Sequence, residues 1–379
     1  MTATLFTATP LFTAIAALLV WAYLLLAHGR FWSAGPVLAP IRPASLPPLD
    51  IVVPARDEAA GIEASLRSLL AQDYPGAIRI TLVDDGSTDG TGAIARNIAD
   101  PRLQIIDGAP RPPGWSGKLW AVAQGVTHGQ AALLLLTDAD IVHDPLHLAT
   151  LAAKLEQDRL DLVSEMVELR CTSLAERALV PAFVFFFQLL YPFARVNDPR
   201  SRTAAAAGGT VLLRRAALAR AGGIERLRGA LIDDVALAAA LKPHGPIYLG
   251  HSALARSVRP YPSAADIWRM VARTAYVQLR LSPLLLAGTV AGLALVWLAP
   301  PALTLLAHGP ARWIAAVTWA AFALSYVPTL RRFRQNPIWA ALLPVIATFY
   351  LAATIGSALD HHRGRGVVWK RRAYQGVGA

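Results

Sequence analysis

Residues 78–90 have the sequence IRITLVDDGSTDG, in which a mostly apolar run ends in two aspartates and a turn. The run predicts a β-strand over 78–84. Strand and helix patterns alternate on both sides of it, with strands at 50–54, 103–106 and 132–137 and helices at 60–71, 90–98 and 117–126. This alternation implies crossover connections, a mainly parallel sheet and a ligand crevice at the carboxyl ends of its strands.

Aspartates stand at the ends of two of these strands. Asp84 and Asp85 end the second strand, and Asp138 and Asp140 end the fourth. Either cluster alone is typical of turns and helix caps. Two clusters at one edge of a sheet repel each other unless a cation neutralises them, and carboxylates are ligands that Mg²⁺ or Mn²⁺ prefers beside substrate phosphates. The sequence therefore predicts a divalent metal that bridges a diphosphate.

The composition indicates a chain that lies partly in lipid. Of the 379 residues, 55% are hydrophobic and only 16% are charged, whereas about a quarter are charged in a typical soluble domain. Lys and Arg exceed Asp and Glu by 36 − 25 = 11, an excess that suits an anionic membrane surface or a phosphorylated substrate at least as well as nucleic acid. The single cysteine, Cys171, excludes an internal disulfide framework and a multi-cysteine zinc site.

Four apolar stretches without Asp, Glu, Lys or Arg predict membrane-spanning helices. They are Leu5–Ala27, Pro283–Leu306, Trp313–Leu330 and Pro337–Leu359. The first predicts an N-terminal transmembrane anchor over 1–30, and the others predict C-terminal transmembrane segments over 281–359. Because Arg30 and Arg42 follow the first stretch, the positive-inside rule places Met1 outside and the following chain in the cytoplasm.

Two further segments concern the membrane. A simple serpentine path would leave the basic tail, 360–379, outside, against the charge rule, so we expect the last stretch to break at Pro344, dip in and return. The side of the tail stays open. The segment Ala182–Tyr191 is too short to span, and it fits a buried core helix and a segment in the membrane interface equally well.

Six blocks of sequence follow one another in a characteristic order. They are Val53–Glu58, Val83–Ser87, Gly117-Lys118, Asp138–Asp140, Gly208-Gly209 and Leu231–Asp234. In this order they resemble the family 2 glycosyltransferases of the GT-A fold. The resemblance implies an α/β nucleotide-diphospho-sugar transferase domain, Rossmann-like with a mainly parallel sheet, over 31–280 and flanked by transmembrane helices. Residues 114–121 and 278–280, with the same membrane layout, resemble more narrowly the hopene-associated glycosyltransferases of hopanoid biosynthesis.

The resemblance also implies roles for individual residues. Asp85 would accept a hydrogen bond from the base of the nucleotide, Asp138 would sit near the ribose, and Asp234 would be the general base. Asp233 stands where the family often has Glu, which keeps the charge but shortens the side chain. The implied metal ligands are Asp138 and Asp140, the catalytic residues Asp234 and Asp233, and the substrate-binding residues Pro54, Ala55, Arg56, Glu58, Asp85, Lys118, Asp138, Gly208 and Gly209.

Sugar transfer from a nucleotide requires a cation at the leaving diphosphate and a carboxylate that removes the proton of the acceptor hydroxyl. Asp140 with Lys118 could meet the first requirement, and Asp234 the second. We therefore expect a metal-dependent, inverting enzyme, anchored in the cell inner membrane with its catalytic domain in the cytoplasm. It would move a sugar from a nucleotide-diphosphate donor to a lipid acceptor, with a hopanoid among the candidates.

Other interpretations stay open. A polyprenyl-phosphate or sphingolipid-type glycosyltransferase would share the donor motifs, whereas a non-catalytic nucleotide-binding membrane protein would have no use for a base at Asp234. Asp233 and Asp234 alone also fit helix capping. Polymer synthesis is not expected, because the Gln-x-x-Arg-Trp block of the family's processive members is absent from the sequence. Nucleic acid is not expected as a partner, because the basic run 202–215 has no aromatic residue for base stacking.

His143 and His147 have the spacing of two zinc ligands on a helix. Pro145 between them favours the first turn of a helix, with Asp144 as the cap. That placement leaves His143 off the helix. A zinc protease is therefore not expected.

Overall fold

The computed structural model describes residues 2–363, 367–369 and 372–374. Their contacts form two compact units. The helical unit comprises residues 2–35, 171–194 and 261–363, and the α/β unit comprises 36–170, 195–260, 367–369 and 372–374. The predicted limits 1–30, 31–280 and 281–359 follow the chain linearly, whereas residues 171–194 and 261–280 pack in the helical unit. Residues 364–366, 370–371 and 375–379 of the predicted tail 360–379 lie outside the described residues.

The elements of the described chain are numbered in sequence order. The strands are β1 Leu49–Ala55, β2 Ile78–Asp84, β3 Leu103–Asp107, β4 Leu133–Thr137, β5 Ile141–His143, β6 Leu162–Glu168, β7 Thr210–Arg214, β8 Ile247–Ser257, β9 Val367–Trp369 and β10 Arg372–Tyr374. The α-helices are α1 Thr2–Ala27, α2 Ile62–Leu70, α3 Thr91–Arg96, α4 Gly117–Thr127, α5 His147–Gln157, α6 Leu174–Leu190, α7 Phe193–Asn197, α8 Arg215–Arg220, α9 Asp233–Leu241, α10 Ala264–Ala272, α11 Ala275–Gln278, α12 Pro283–Leu293, α13 Ala299–Leu306, α14 Gly309–Arg332 and α15 Leu343–His362. A π-helix, Ala294–Leu298, joins α12 to α13, and short 3₁₀ helices lie at Ile224–Leu227 and Pro337–Ala340.

The first eight strands form one sheet in the order β3-β2-β1-β4-β7-β6-β8-β5. β1 pairs in parallel with β2 and β4, and β2 pairs in parallel with β3. β7 is antiparallel to both β4 and β6, β6 is parallel to β8, and β5 is antiparallel to β8. Six of the eight strands of this sheet therefore run in one direction. The expected α/β fold with a mainly parallel sheet is confirmed.

The parallel half of the sheet explains the apolar runs of the sequence. All seven residues of β1 are buried, because β1 lies between β2 and β4 and carries α4 on one face. The helix packs so closely that a Cβ added at Gly125 would collide with Cγ1 of Val52. Pro54 has no N–H to donate, and it lies beyond Val52, where the pairing of β1 with β4 ends.

The seven elements predicted between residues 50 and 137 are confirmed. Each begins and ends within two residues of its predicted limits, and the strand 78–84 coincides with β2. The sequence signal was strong here because buried parallel strands read as continuous apolar runs bounded by turns.

The helical unit contains the predicted membrane segments. Four helical segments of the described chain are long and apolar enough to cross a membrane, namely Thr9–Ala27, Pro283–Leu306, Gly309–Arg332 and Leu343–His362. They coincide with the four predicted stretches. The last predicted stretch is interrupted just before Pro344, between the 3₁₀ helix Pro337–Ala340 and α15, which begins at Leu343. Pro344 lies in the first turn of α15, where its missing N–H costs no hydrogen bond, and from there the helix continues unbroken to His362.

The segment Ala182–Tyr191 forms the end of α6 and packs within the helical unit. Phe185 is fully buried, with its ring centroid 5.4 Å from that of Phe31 and 5.1 Å from that of Tyr326. Leu190 is 58% exposed. One face of the segment is thus buried, as expected for a core helix, while its carboxyl-terminal end is exposed.

Candidate active site

The carboxyl ends of β1 and β2 are held together by the residues that follow them. The backbone N–H of Asp85 donates to the carbonyl of Ala55 at 2.8 Å, and Nη1 of Arg56 donates to the carbonyl of Asp85. The same Nη1 lies 3.7 Å from Oδ2 of Asp85, and the two side chains are 11% and 6% exposed. The structure therefore brings three of the predicted substrate-binding residues to the edge where a parallel sheet places its ligand crevice.

Glu58 belongs to the same edge. Its backbone N–H donates to Oγ1 of Thr91 at 2.8 Å, and Asp57 beside it accepts from the N–H of Thr88 at 2.8 Å. The loop after β1 is thus fastened to the turn after β2. This fastening fixes the backbone of Glu58 at the edge of the sheet.

Lys118 connects two elements of the site. It lies in the first turn of α4, which Ser116 caps by accepting from the N–H of Leu119. Nζ of Lys118 is 2.8 Å from Oδ1 of Asp138 at the end of β4 and 3.0 Å from Oδ2 of Asp233 at the start of α9. Burial opposes the charge of the ammonium, but the two carboxylates outweigh it, and the pKa of Lys118 is raised.

Asp234 follows Asp233 in the first turn of α9. The N-cap residue of the helix is Ile232, which makes no side-chain capping bond, and Oδ1 of Asp234 accepts from the N–H of Val235 at 2.8 Å. Neither aspartate therefore occupies the cap position. Burial, together with the charge of Asp233, raises the pKa of Asp234 to about 6, although Lys118 acts in the opposite direction.

The two glycines leave room for these side chains. A Cβ added at Gly208 would lie 3.1 Å from Oδ2 of Asp234 and 3.5 Å from Nζ of Lys118. The carbonyl of Gly209 accepts from Oγ1 of Thr137 at 2.8 Å, which ties the turn to the end of β4. The Gly-Gly turn is therefore a site of close approach, as well as a turn.

A cavity opens over this cluster. Its polar wall is formed by the side chains of Lys118, Asp138, Asp233 and Asp234, with Gly208 beside them. Its apolar wall comprises Pro54, Leu119, Val122, Leu136, Val211, Ile224, Leu227 and Leu237. A carboxylate whose pKa is raised thus faces a small, partly open cavity beside a cation, which is an arrangement suited to proton transfer.

Asp140 lies at the second polar cluster of the site. Its Oδ2 accepts from Nε of Arg259 at 2.8 Å and from Oγ of Ser257 at 3.1 Å. Nη2 of Arg259 donates to Oε1 of Glu58 at 2.6 Å. Arg259 was not predicted from the sequence, because it follows β8 without any motif around it.

His143 and His147 are part of a buried hydrogen-bonded chain. His143 ends β5 and His147 begins α5, so His143 lies off the helix as predicted. Their Nδ1 atoms are 2.8 Å apart, Nε2 of His147 is 3.1 Å from Oε2 of Glu165, and Nε2 of His143 is 3.2 Å from Oγ1 of Thr137. Burial, reinforced by His147, lowers the pKa of His143. This hydrogen-bonded network belongs to the core and ends at Thr137, the residue before Asp138.

The donor chemistry of the site fits a divalent ion. In the described part of the chain, no group of three or more His, Cys, Asp or Glu side chains is arranged around one metal position. Mg²⁺ and Mn²⁺ need fewer protein ligands, because they keep waters and bind phosphate oxygens. The named site residues comprise six carboxylates (Glu58, Asp85, Asp138, Asp140, Asp233 and Asp234) and three cations (Arg56, Lys118 and Arg259), a formal balance of 3 − 6 = −3. An excess of negative charge in one site favours an added cation.

Residues 50–222 match the family model described as Glycosyl transferase family 2. The match covers 173 of the 379 residues, and this part of the chain is similar to family 2 glycosyltransferase domains. The match contains every predicted site residue from Pro54 to Gly209 and ends before Asp233 and Asp234. The fold agrees with that of a solved structure, the mannosyltransferase PcManGT from Pyrobaculum calidifontis in complex with GDP-Man and Mn²⁺. The TM-score is 0.59 at 20% identity, over 93% of this chain and 99% of that one, and the fold is thus of the GT-A type.

A curated relative is similar to a part of this chain. The 4,4'-diaponeurosporenoate glycosyltransferase of Staphylococcus aureus (strain MRSA252) is 36% identical over 93 residues, which are 24% of this chain and 24% of the relative. The chain thus spans about a quarter of the length of the curated relatives it matches.

Proposed function

We propose that the chain is a membrane-anchored, inverting glycosyltransferase that moves a sugar from a nucleotide-diphosphate donor to the hydroxyl group of a lipid. The observation that carries the proposal is the position of Asp234, beside Gly208 and Lys118 in a cavity at the strand ends of the family 2 domain. A domain that only bound nucleotide would need no such carboxylate.

Proton transfer at Asp234 is the central step of the proposal. The acceptor hydroxyl gives its proton to Oδ2 of Asp234 while its oxygen forms a bond to the anomeric carbon. The bond from that carbon to the donor's diphosphate breaks on the opposite face, so one displacement inverts the anomeric centre. With a pKa of about 6, Asp234 is ionised at neutral pH and holds a proton better than an ordinary carboxylate does.

The donor occupies the other part of the site in this proposal. Arg56 and Asp85 hold the base, and Lys118 lies near the diphosphate. Asp138 and Asp140 are the proposed ligands of Mg²⁺ or Mn²⁺, which when bound neutralises charge on the leaving diphosphate. The Mn²⁺ named with PcManGT supports this assignment.

A lipid acceptor is supported by the helical unit and by the name of the curated relative, a 4,4'-diaponeurosporenoate glycosyltransferase. A base at Asp234 favours a hydroxyl group, because carboxylates and phosphates are already ionised at neutral pH and give up no proton. A hopanoid or a sphingolipid-type acceptor therefore fits better than a polyprenyl phosphate. We propose the inner membrane as the location, with the α/β unit in the cytoplasm, on the positions of Arg30, Arg42 and 331–334.

The test is sugar transfer by washed membranes that contain the full chain. They are incubated with a panel of labelled nucleotide sugars and Mn²⁺ or Mg²⁺, and the lipids are then extracted. We expect a labelled lipid whose sugar resists both mild acid, which cleaves glycosyl phosphates, and mild alkali, which cleaves sugar esters. Nucleotide-sugar binding without any labelled lipid would instead favour the non-catalytic interpretation.

A further inference from the structure

Arg259 bridges two acids that the proposed function assigns to the donor. It follows β8 directly, and its Nε and Nη2 donate to Asp140 at 2.8 Å and to Glu58 at 2.6 Å. The side chains of Asp140 and Glu58 are 12% and 13% exposed, whereas that of Arg259 is 32% exposed. The acids are thus nearly enclosed, and the cation between them lies on the open side.

The contacts of Asp140 leave little space for a second cation at one of its oxygens. Oδ2 accepts from both Arg259 and Ser257, and these two bonds use the two acceptor directions of a carboxylate oxygen. The backbone N–H of Val258 also donates to the carbonyl of Asp140 at 2.9 Å. Residues 257–259 therefore hold Asp140 through both its backbone and its side chain.

A guanidinium and a divalent ion compete for such an oxygen. Both are drawn to the same negative charge, they repel each other at contact distance, and only one of them fits the lone pairs of Oδ2. Arg259 is the more exposed partner, so it is the group that moves when another cation enters.

We propose that Arg259 is a built-in counter-cation of Asp140, which holds the carboxylate in the donor-free protein and competes with the divalent metal for it. The inference rests on the proposed function, because that function makes Asp140 a metal ligand. As a consequence, the divalent metal binds weakly in the absence of the donor, because it must displace Arg259 from Asp140. It binds tightly when the donor is present, because the diphosphate adds negative charge to the site. Ion pairing with Arg259 then compensates the charges of Asp140 and Glu58 while no donor is bound.

The test measures Mn²⁺ binding by the full-length protein in detergent without nucleotide, from the electron paramagnetic resonance signal of free Mn²⁺. Arg259→Gln should tighten Mn²⁺ binding roughly tenfold, because a unit charge within a few ångströms typically changes the cation affinity of a carboxylate by at least this factor. Arg220→Gln is the matched control: it removes an arginine that pairs with Asp161 elsewhere in the α/β unit, and it should leave the affinity unchanged. Adding Asp140→Asn to Arg259→Gln should abolish the gain.

The outcomes separate the proposals. Unchanged or weaker Mn²⁺ binding by Arg259→Gln, in a protein that melts cooperatively, would mean that Arg259 is a structural tie and would overturn the inference. If Arg259→Gln fails to fold, Arg259→Lys retains a charge but cannot bridge both acids, and it too must bind Mn²⁺ more tightly than the unmutated protein. Absence of Mn²⁺ binding in all variants would also overturn it. Tighter binding by Arg259→Gln together with no sugar transfer by the unmutated protein would uphold the inference and defeat the glycosyltransferase proposal.

Discussion

The two sides of the site treat their carboxylates differently. At the ends of β1 and β2, Asp85 lies beside Arg56, and Glu58 is held by Arg259. Around the start of α9, one cation, Lys118, contacts both Asp138 and Asp233, with Asp234 beside them. With Asp140, which Arg259 also holds, the first side has three carboxylates and two cations, whereas the second side has three carboxylates and one cation. A nearly matched side is suited to holding a ligand, whereas a larger excess of negative charge raises a carboxylate's pKa and prepares it to accept a proton.

The largest expected effect is at Asp234. Asp234→Asn keeps the size of the side chain but cannot take the acceptor's proton, so kcat should fall by about 10² to 10⁴ while nucleotide binding changes little. Radiolabelled transfer to lipid gives kcat, and calorimetry gives the affinity for nucleotide. Asp158→Asn, at a partly exposed pair with Lys154, is the matched control and should retain activity.

An Asp234→Asn protein with nearly normal transfer would contradict the distinction between the two sides. Asn can still accept the hydrogen bond from the N–H of Val235, so such a result would leave Asp234 with that structural contact alone.

Lys118 should show the next largest effect. Lys118→Met removes the cation between Asp138 and Asp233 and leaves their charges unopposed, so kcat should fall by roughly 10² to 10³. Lys154→Met makes the same chemical change in α5, outside the site, and should leave transfer within about threefold of normal. Equal effects of the two variants on transfer would show that Lys118 acts only through the stability of the domain, which a melting curve of each variant would display.

Asp85 tests the side of the site at the ends of β1 and β2. Asp85→Asn weakens a charge-assisted contact, so the affinity for nucleotide should fall about ten- to a hundredfold while kcat at saturating donor changes less. The measurement is calorimetric titration with nucleoside diphosphate, paired with KM and kcat from the transfer assay. A loss of kcat at unchanged affinity would place Asp85 with the chemistry and erase the proposed difference between the two sides.

The sequence predicted what depends on local pattern. β2 was predicted to the residue, because its apolar run ends abruptly at Asp84, and the four apolar stretches coincide with long helices. The position of Pro344 in α15 was not predicted, because the sequence does not show whether a proline falls in the first turn or in the middle of a helix. The assignment of residues 171–194 to the helical unit was not predicted either, since it depends on packing between distant segments.

The site was predictable where its residues form motifs. Asp138, Gly208 and Asp234 were found from their blocks, and the structure brings Gly208 and Asp234 close together. Arg259 was not, because it lies 119 residues from Asp140 and joins it only through the pairing of β8 into the sheet. Long-range ion pairs of this kind leave no signal in a single sequence.

The smallest expected effect is a shift of the pH profile of the reaction. This shift measures directly how the excess of negative charge acts on Asp234. Asp234 must be ionised to act as a base, and its pKa is raised to about 6 by burial and by Asp233, with Lys118 opposing and Asp138 reinforcing the shift. The value of kcat/KM, which reports ionisations in the free enzyme, should therefore be constant above neutrality, reach half its maximum near pH 6, and fall about tenfold for each further unit.

Asp233→Asn sharpens this test. It removes the neighbouring negative charge and leaves the ammonium of Lys118 less compensated, and both changes lower the pKa of Asp234. The acidic limb should consequently move to lower pH, even if the maximum rate also falls. A limb that stays near pH 6 in Asp233→Asn would assign the titration to another group. A profile of the unmutated protein with its half-point near 4, the value of an ordinary aspartate, would show that the excess charge around α9 does not act on Asp234.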